Sequence, residues 1–231
     1  GWAIYRGEWN LAALKPTSEG ADPLSYRRIA LLFSIPLAFA AFTLFRDNLF
    51  TATNVILWVL AVISFIFAFW VNDPNRRSSG LAGFFRFNSW TLLLIAAIAL
   101  VFFFRFYQTS SVPPEPFSDH AEKIFDVYDV SIGETRIFFQ RNTGREAFQM
   151  YWTLLTAKLF GTGLSFLSLK LGTAILGFLT LPFVYLLGKE IGGGRVGLIA
   201  FVLTGIAYWP NVISRVGLRF PLYPLFAAPT L

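Results

Sequence analysis

Long apolar runs separated by polar segments dominate the chain. Each of five runs is close to the length of about 20 residues that a helix needs to cross a bilayer. Their leucine, isoleucine, phenylalanine and alanine content favours helices, and lipid requires the backbone to satisfy its own hydrogen bonds. The runs are residues 29–45, 55–71, 90–107, 166–187 and 196–213. The pattern predicts an all-α integral membrane protein with about five transmembrane helices.

One polar stretch, residues 108–147, is far longer than the other connections, and loops of this length are usually functional or disordered. Within it, Ser118 or Asp119 suits a helix N-cap, with Glu122 in the first turn. Apolar residues then recur at helical spacing, at Ala121, Ile124, Phe125 and Tyr128. A second apolar segment ends at Gly161, a typical C-cap residue. We therefore predict two amphipathic helices on the outer membrane surface, joined by a Gly/Asn turn.

These elements divide the chain into four parts. Residues 1–28 are expected to form a cytoplasmic or interfacial tail, and residues 29–107 three transmembrane helices. Residues 108–164 form the external loop with its two surface helices and its acidic residues. Residues 165–231 provide two more transmembrane helices and an external arginine-containing segment. The chain starts without Met and stops within an apolar stretch, so we expect it to be part of a longer polypeptide.

Composition narrows the class of protein further. Of 231 residues, 55% are hydrophobic and 14% are charged, against about 25% charged residues in a soluble domain. A soluble globule and a disordered chain are both excluded. The chain has no Cys and a single His, His120, which excludes disulfides, thiol catalysis and multi-histidine metal centres. We expect no cofactor, and the alternative is an oxygen-bound divalent cation.

The net charge of +6 maps onto one side of the membrane. Basic side chains precede the first run and lie between the second and third runs and between the fourth and fifth; they are Arg27, Arg28, Arg76, Arg77, Arg86, Lys189 and Arg195. The long loop instead carries seven acidic and four basic side chains. The positive-inside rule therefore places the N-terminus in the cytoplasm and the loop outside. We expect a prokaryotic plasma membrane protein with no nucleic-acid partner.

Two arginines follow the last run. Arg215 and Arg219 are four residues apart and would share one face of a helix. A cation pair at the outer surface could bind a phosphate group, which guanidinium holds through two parallel hydrogen bonds. The alternative is interfacial anchoring by arginine and tryptophan. Asp119 and Glu122 likewise have an alternative role, which is only to cap their helix.

The order of these features resembles the membrane glycosyltransferases of the GT-C fold. The similarity is to the dolichyl-phosphate-mannose protein mannosyltransferase and aminoarabinose transferase group (glycosyltransferase family 39-like). It covers roughly residues 105–225, the N-terminal part of that fold. The matching segments are SDHAEK at 118–123, LFG at 159–161, LPFVYLLGK at 181–189, GRVGL at 194–198 and SR at 214–215. Two departures are His120, where the family usually has an acidic residue, and the two spans that precede the usual first one.

The resemblance implies an activity and residue roles. A sugar would move from a polyprenyl-phosphate carrier to an acceptor protein or glycolipid at the external membrane face. Asp119 would be the catalytic base, and Glu122 would orient the acceptor or help to hold an ion. Arg215 and Arg219 would bind the leaving phosphate. No dedicated metal is implied.

Two other functions have to be weighed. The chain could be a non-catalytic accessory or assembly subunit of a larger membrane complex, with a transferase-like fold. It could also be a transporter, but the apolar runs contain only Arg105 and Lys170, both near their ends. Because substrate and ion pathways are usually marked by ionisable residues inside the membrane, this placement favours chemistry at the surface.

Overall fold

The computed structural model of the protein describes residues 23–70, 88–141 and 144–230. Three quarters of these residues are helical. Within these ranges, four helices are long and apolar enough to cross a membrane: Tyr26–Leu44, Ala52–Phe69, Ser89–Phe106 and Phe166–Ile206. These features confirm an all-α membrane protein. Most of the predicted tail, the arginine-containing turn after the second run and part of the predicted Gly/Asn turn lie outside the described residues.

The first of two compact units contains helices α1 (Pro23–Leu44) and α2 (Ala52–Phe69), which pack along each other. Helix α1 begins before the predicted boundary at residue 29, so the end of the predicted tail is helical. The side chain of Asn54 is fully buried in this unit. Its amide donates to the carbonyl of Leu44 over 3.2 Å, which satisfies a carbonyl at the end of α1.

The second unit is built on helices α3 (Ser89–Phe106) and α6 (Phe166–Ile206). Asn88 caps α3, because its Oδ1 accepts from the backbone N–H of Thr91 at 2.9 Å. The two helices bury a common apolar core formed by Ala97, Val101, Leu181, Leu198 and Phe201. The core requires a close approach at Gly205, where a Cβ would lie 2.5 Å from the side chain of Val101.

Helix α6 reverses direction within its length. Gly192 and Gly193 have non-helical dihedrals, and Gly193 has a φ of 82°. On an unbroken helix Tyr185 and Gly197 would be roughly 18 Å apart. Instead, a Cβ on Gly197 would lie 2.5 Å from the carbonyl oxygen of Tyr185. The segments on either side of the break therefore pack against each other, with the reversal inside the predicted turn at 189–195.

Two helices form in the long loop where the sequence predicts them, α4 (Ser118–Ser131) and α5 (Phe148–Phe160). Gly161 ends α5 in the left-handed conformation, which confirms the predicted C-cap. The predicted N-cap of α4 was wrong by one or two residues, since Phe117 occupies that position. Between the helices, strands β1 (Phe138–Phe139) and β2 (Arg145–Glu146) pair antiparallel and form a hairpin that was not among the predicted elements.

Helix α4 packs its polar side against the protein and turns its apolar side outward. Phe125 is 59% exposed and Tyr128 is 50% exposed. The buried side consists of His120, Lys123, Asp126, Val127, Asp129 and Val130. Apolar contacts of this side with Phe139 and Met150 close a small second core under the loop.

The segment 45–51 belongs to the second unit and pairs with the chain after α4. Leu49 forms an isolated antiparallel bridge with Arg136. The Phe50 N–H donates to the Thr135 carbonyl at 2.6 Å, and the Asn48 amide donates to the Phe138 carbonyl at 2.8 Å. Two connections that the predicted topology places on the same side of the membrane are thus neighbours in space.

The end of the chain differs from the prediction. The apolar run 196–213 is divided at Ala207 between α6 and α7 (Tyr208–Arg215). Helix α8 (Leu222–Ala227) and a 3₁₀ turn (Ala228–Thr230) follow. The expectation that Arg215 and Arg219 share one helix face was wrong, because α7 ends at Arg215 and Gly217 adopts a φ of 78°.

Candidate functional site

Asp119 lies in the first turn of α4, and its neighbour His120 fixes that turn in place. His120 is fully buried against the rings of Phe117 and Phe166, the latter being the first residue of α6. The Phe117 N–H donates to Nδ1 at 3.1 Å, so the ring proton is on Nε2, which lies 2.5 Å from the Val216 carbonyl. Burial lowers the pKa of His120 below its ordinary value. His120 is therefore a neutral structural side chain that holds Asp119 beside a membrane-length helix.

Acidic and basic side chains from three segments surround the start of α4. Arg145 Nη2 lies 3.0 Å from Glu122 Oε2, and Arg219 Nη1 lies 3.0 Å from Glu146 Oε2. Lys123 Nζ donates to the backbone carbonyl of Asp119 at 3.3 Å. We call these six residues, Asp119, Glu122, Lys123, Arg145, Glu146 and Arg219, the charged group.

Lys123 is at the centre of the charged group. Only 5% of it is exposed. Burial, followed by repulsion from Arg145, lowers the pKa of Lys123 to about 8. Asp119, Arg219 and Glu122 also act on its charge. The ammonium of Lys123 is therefore within electrostatic reach of both predicted carboxylates and of one predicted arginine.

A second set of ion pairs stabilises the hairpin under the charged group. Arg141 Nη1 lies 2.6 Å from Asp126 Oδ1 and 2.5 Å from Asp129 Oδ2. Arg145 Nη1 is 3.7 Å from the other oxygen of Asp126. Burial raises the pKa of Asp126 despite these cations, whereas hydrogen bonds to both carboxylates raise the pKa of Arg141. These contacts position β2 and with it Arg145 and Glu146.

Arg215 belongs to a different cluster, formed with Arg105 at the end of α3 and Lys170 near the start of α6. We call these residues the three-cation group. Arg105 Nη1 donates to the Pro210 carbonyl at 2.6 Å and to the Ser214 hydroxyl. Arg215 Nη2 donates to the carbonyls of Tyr107 (2.6 Å) and Val112 (3.2 Å). Lys170 Nζ donates to the carbonyls of Ser110 (3.2 Å) and Pro113 (3.0 Å).

The structure thus brings three of the four predicted site residues into one group, Asp119, Glu122 and Arg219, and places Arg215 among other partners. The predicted site did not include the other three members of the charged group, Lys123, Arg145 and Glu146. The sequence does mark Arg105 and Lys170 as candidate functional residues. Each is an isolated charge in an apolar run, and such charges are costly in a membrane and usually functional.

No protein-family model, curated protein or solved structure matches the chain. In the part of the chain that the structure describes, no group of three or more His, Cys, Asp or Glu is placed to hold a metal ion. What the charged group offers is a set of carboxylates that can accept a proton and a set of cations that can stabilise an anionic leaving group.

Proposed function

We propose that this protein is a membrane glycosyltransferase that moves a sugar from a polyprenyl-phosphate carrier to an acceptor protein or glycolipid at the external membrane face. One observation carries the proposal. Asp119 and Arg219 enter the same charged group, and His120 holds that group against Phe166 at the end of a membrane-length helix. A phosphate group on a membrane lipid would sit at such a helix end. The resemblance to GT-C glycosyltransferases supports the same reaction.

In this reaction Asp119 is the general base. Its carboxylate accepts the proton of the acceptor hydroxyl as the oxygen forms a bond to the anomeric carbon. The bond between that carbon and the phosphate oxygen breaks, and polyprenyl phosphate leaves with the electron pair. The products are the glycosylated acceptor, polyprenyl phosphate and a protonated Asp119. A proton transfer of this kind typically contributes about 10²–10⁴ in rate.

The other members of the charged group have supporting roles. Arg219 stabilises the negative charge that grows on the departing phosphate. Glu122, held by Arg145, orients the acceptor or helps to hold an ion. Arg215 was expected to share the role of Arg219, but its neighbours are Arg105 and Lys170, so in this proposal Arg219 is the principal phosphate ligand.

The proposed arrangement in the membrane has five crossings, since α6 supplies two. Helices α4 and α5 lie on the external surface as amphipathic helices, with Phe125 and Tyr128 of α4 facing lipid. The N-terminus is cytoplasmic, and the membrane is the plasma membrane of a prokaryote. The exposure of the apolar side of α4 supports this placement.

The test is sugar transfer by the full-length protein in proteoliposomes that contain radiolabelled polyprenyl-phosphate sugars. Asp119→Asn should lower turnover by at least about 10². Glu134→Gln is the matched control, because Glu134 pairs with Arg136 outside the charged group. Equal turnover by Asp119→Asn and wild type would disprove the assignment of the base. Failure of the wild type to turn over any carrier-linked sugar would instead favour an accessory subunit of a larger membrane complex.

A further inference from the structure

Three cations from three helices, Arg105, Lys170 and Arg215, lie close together where α3 ends. Arg215 and Lys170 together hold the carbonyls of residues 107, 110, 112 and 113. Arg105 holds α7 through Pro210 and Ser214. Arg105 and Lys170 are each close enough to Arg215 for the positive charges to repel. The fold therefore gathers three like charges at one place.

The hydrogen bonds of this three-cation group are incomplete. Arg105 is 1% exposed, and its Nε and Nη2 atoms are buried without a partner. Nε of Arg215 is buried without a partner as well. An unpaired nitrogen on a buried guanidinium has lost its water and gained nothing in exchange. Three donor nitrogens at one site are thus left for a group from outside the described chain.

No carboxylate compensates these charges among the residues that the structure describes. The ion pairs found there involve Arg136, Arg141, Arg145 and Arg219, each with an acidic side chain of the loop. Within the described part of the chain, the contacts of Lys170 Nζ are backbone carbonyls and the ring of Phe166, whose centroid is 4.7 Å away. Buried charges are normally paired, so the missing partner is an anion.

We propose that the three-cation group binds the phosphate group of a membrane lipid. Guanidinium nitrogens match two phosphate oxygens at once, and the ammonium of Lys170 adds a point charge. The site lies at the end of α3 and the start of α6, both membrane-length helices. Tyr107, Tyr208 and Trp209 are exposed beside it, as is typical of side chains at the level of lipid headgroups. Arg215 is half-buried, so the phosphate enters on its side.

This site does not depend on the proposed transferase activity. Two lipids share the required chemistry, an anionic bilayer phospholipid and the polyprenyl phosphate itself, and free phosphate is a third source of the same group. Native mass spectrometry of the full-length protein in nanodiscs, with phosphatidylglycerol or phosphatidylcholine, measures which lipid is retained. Competition with polyprenyl phosphate and with inorganic phosphate then identifies the source.

We expect phosphatidylglycerol to be retained over phosphatidylcholine, and Lys170→Gln and Arg215→Gln to weaken its binding at least about tenfold. Lys158→Gln and Arg136→Gln, which remove cations elsewhere, should bind like the wild type. Arg105→Gln removes a buried charge and could fail to fold. Arg105→Lys keeps the positive charge but removes the unpaired guanidinium nitrogens, so it tests the site in a folded protein. Displacement of phosphatidylglycerol by polyprenyl phosphate, or by inorganic phosphate alone, would support the phosphate site and identify its ligand.

Equal retention of the two phospholipids by the wild type, with no binding of either phosphate competitor, would overturn the proposal. Wild-type affinity in both glutamine variants would do the same. Asp119→Asn should retain the lipid fully, so a failure of the transferase proposal and a failure of this site give different results.

Discussion

Arg145 in strand β2 reaches Glu122 in helix α4, with 3.0 Å between Nη2 and Oε2. The two residues are 23 positions apart, and the guanidinium is buried while the carboxylate is partly exposed. The second nitrogen faces Asp126, whose side chain is buried. This contact joins the hairpin to the helix that carries Asp119, so the geometry of the charged group depends on it.

Replacement of Arg145 by Gln should therefore destabilise the loop. Removal of one partner from a buried pair costs about 3–5 kcal/mol, and the solvent screening of Glu122 reduces this to about 2–3 kcal/mol. The measurement is chemical unfolding of the detergent-solubilised protein, monitored by near-UV circular dichroism. Arg136→Gln breaks a pair whose members are both partly exposed and should cost less than about 1 kcal/mol. Similar losses in the two variants would contradict the structural role of Arg145.

Acid should weaken the anchor at His120. Burial lowers the pKa of the folded imidazole below 6.5, so the unfolded chain takes up a proton first as the pH falls. Stability is therefore lost as the pH falls below about 6.5, because the proton stabilises the unfolded chain, whereas in the folded chain it would displace the hydrogen bond from the Phe117 N–H to Nδ1. The difference in Tm between wild type and His120→Gln, measured from pH 7.5 to pH 5, should shrink on the acid side. A difference that does not vary with pH would rule out this titration.

Titration of Lys123 should make the stability of the folded protein depend on pH in the alkaline range. The unfolded chain keeps a proton on this lysine up to a pKa of 10.5, whereas the folded chain releases it near pH 8. Between these values the unfolded state binds more protons, so stability rises with pH. Lys123→Met removes this component, and the Tm of the wild type should gain on that of the variant between pH 8 and pH 9.5. Parallel Tm profiles would show that the ammonium is not buried.

Because α6 reverses direction, we expect alanine substitutions at two of its glycines to differ in their effect on stability. In Gly197→Ala the new methyl group would lie 2.5 Å from the backbone oxygen of Tyr185, which cannot rotate away. In Gly172→Ala the nearest atom is a side-chain carbon of Trp152 at 3.3 Å. We expect a loss of about 1–3 kcal/mol at position 197 and a smaller change at position 172. If α6 were one straight helix, both alanines would instead be neutral or stabilising.

The absence of cysteine makes the topology directly measurable. Ser131 and Glu190 are both exposed, and the proposed arrangement places them on opposite sides of the membrane. Ser131→Cys should react with a membrane-impermeant maleimide in intact cells, and Glu190→Cys only after permeabilisation. Labelling of both from the outside would show that the first part of α6 does not cross.

The sequence was sufficient for the positions of four membrane-length helices and of the helices at 118–131 and 148–160, because apolar runs and helical spacing are local signals. The sequence of α4 alone does not show which side of the helix is buried. Its polar side is buried because Arg141 and Arg145, from the following hairpin, neutralise Asp126 and Asp129.

The separation of Arg215 from Arg219 was also beyond the sequence. It follows from the positive φ of Gly217, which packs against Leu169 and the ring of His120. The partners of Arg105 are as remote, since Ser214 is 109 residues away. The sequence and the resemblance proposed Asp119, Glu122 and Arg219 as candidates one by one, but long-range packing decides which charges meet.

The pairing of residues 45–51 with residues 134–138 has a consequence for biogenesis. Asn48 is synthesised 90 residues before its partner Phe138. In the proposed topology, residues 45–51 reach the external side before α3 is inserted and α4 is translocated, so they gain these partners only later. The hydrogen bonds to residues 135–138 would then hold this connection on the external side, in addition to the effect of flanking positive charge.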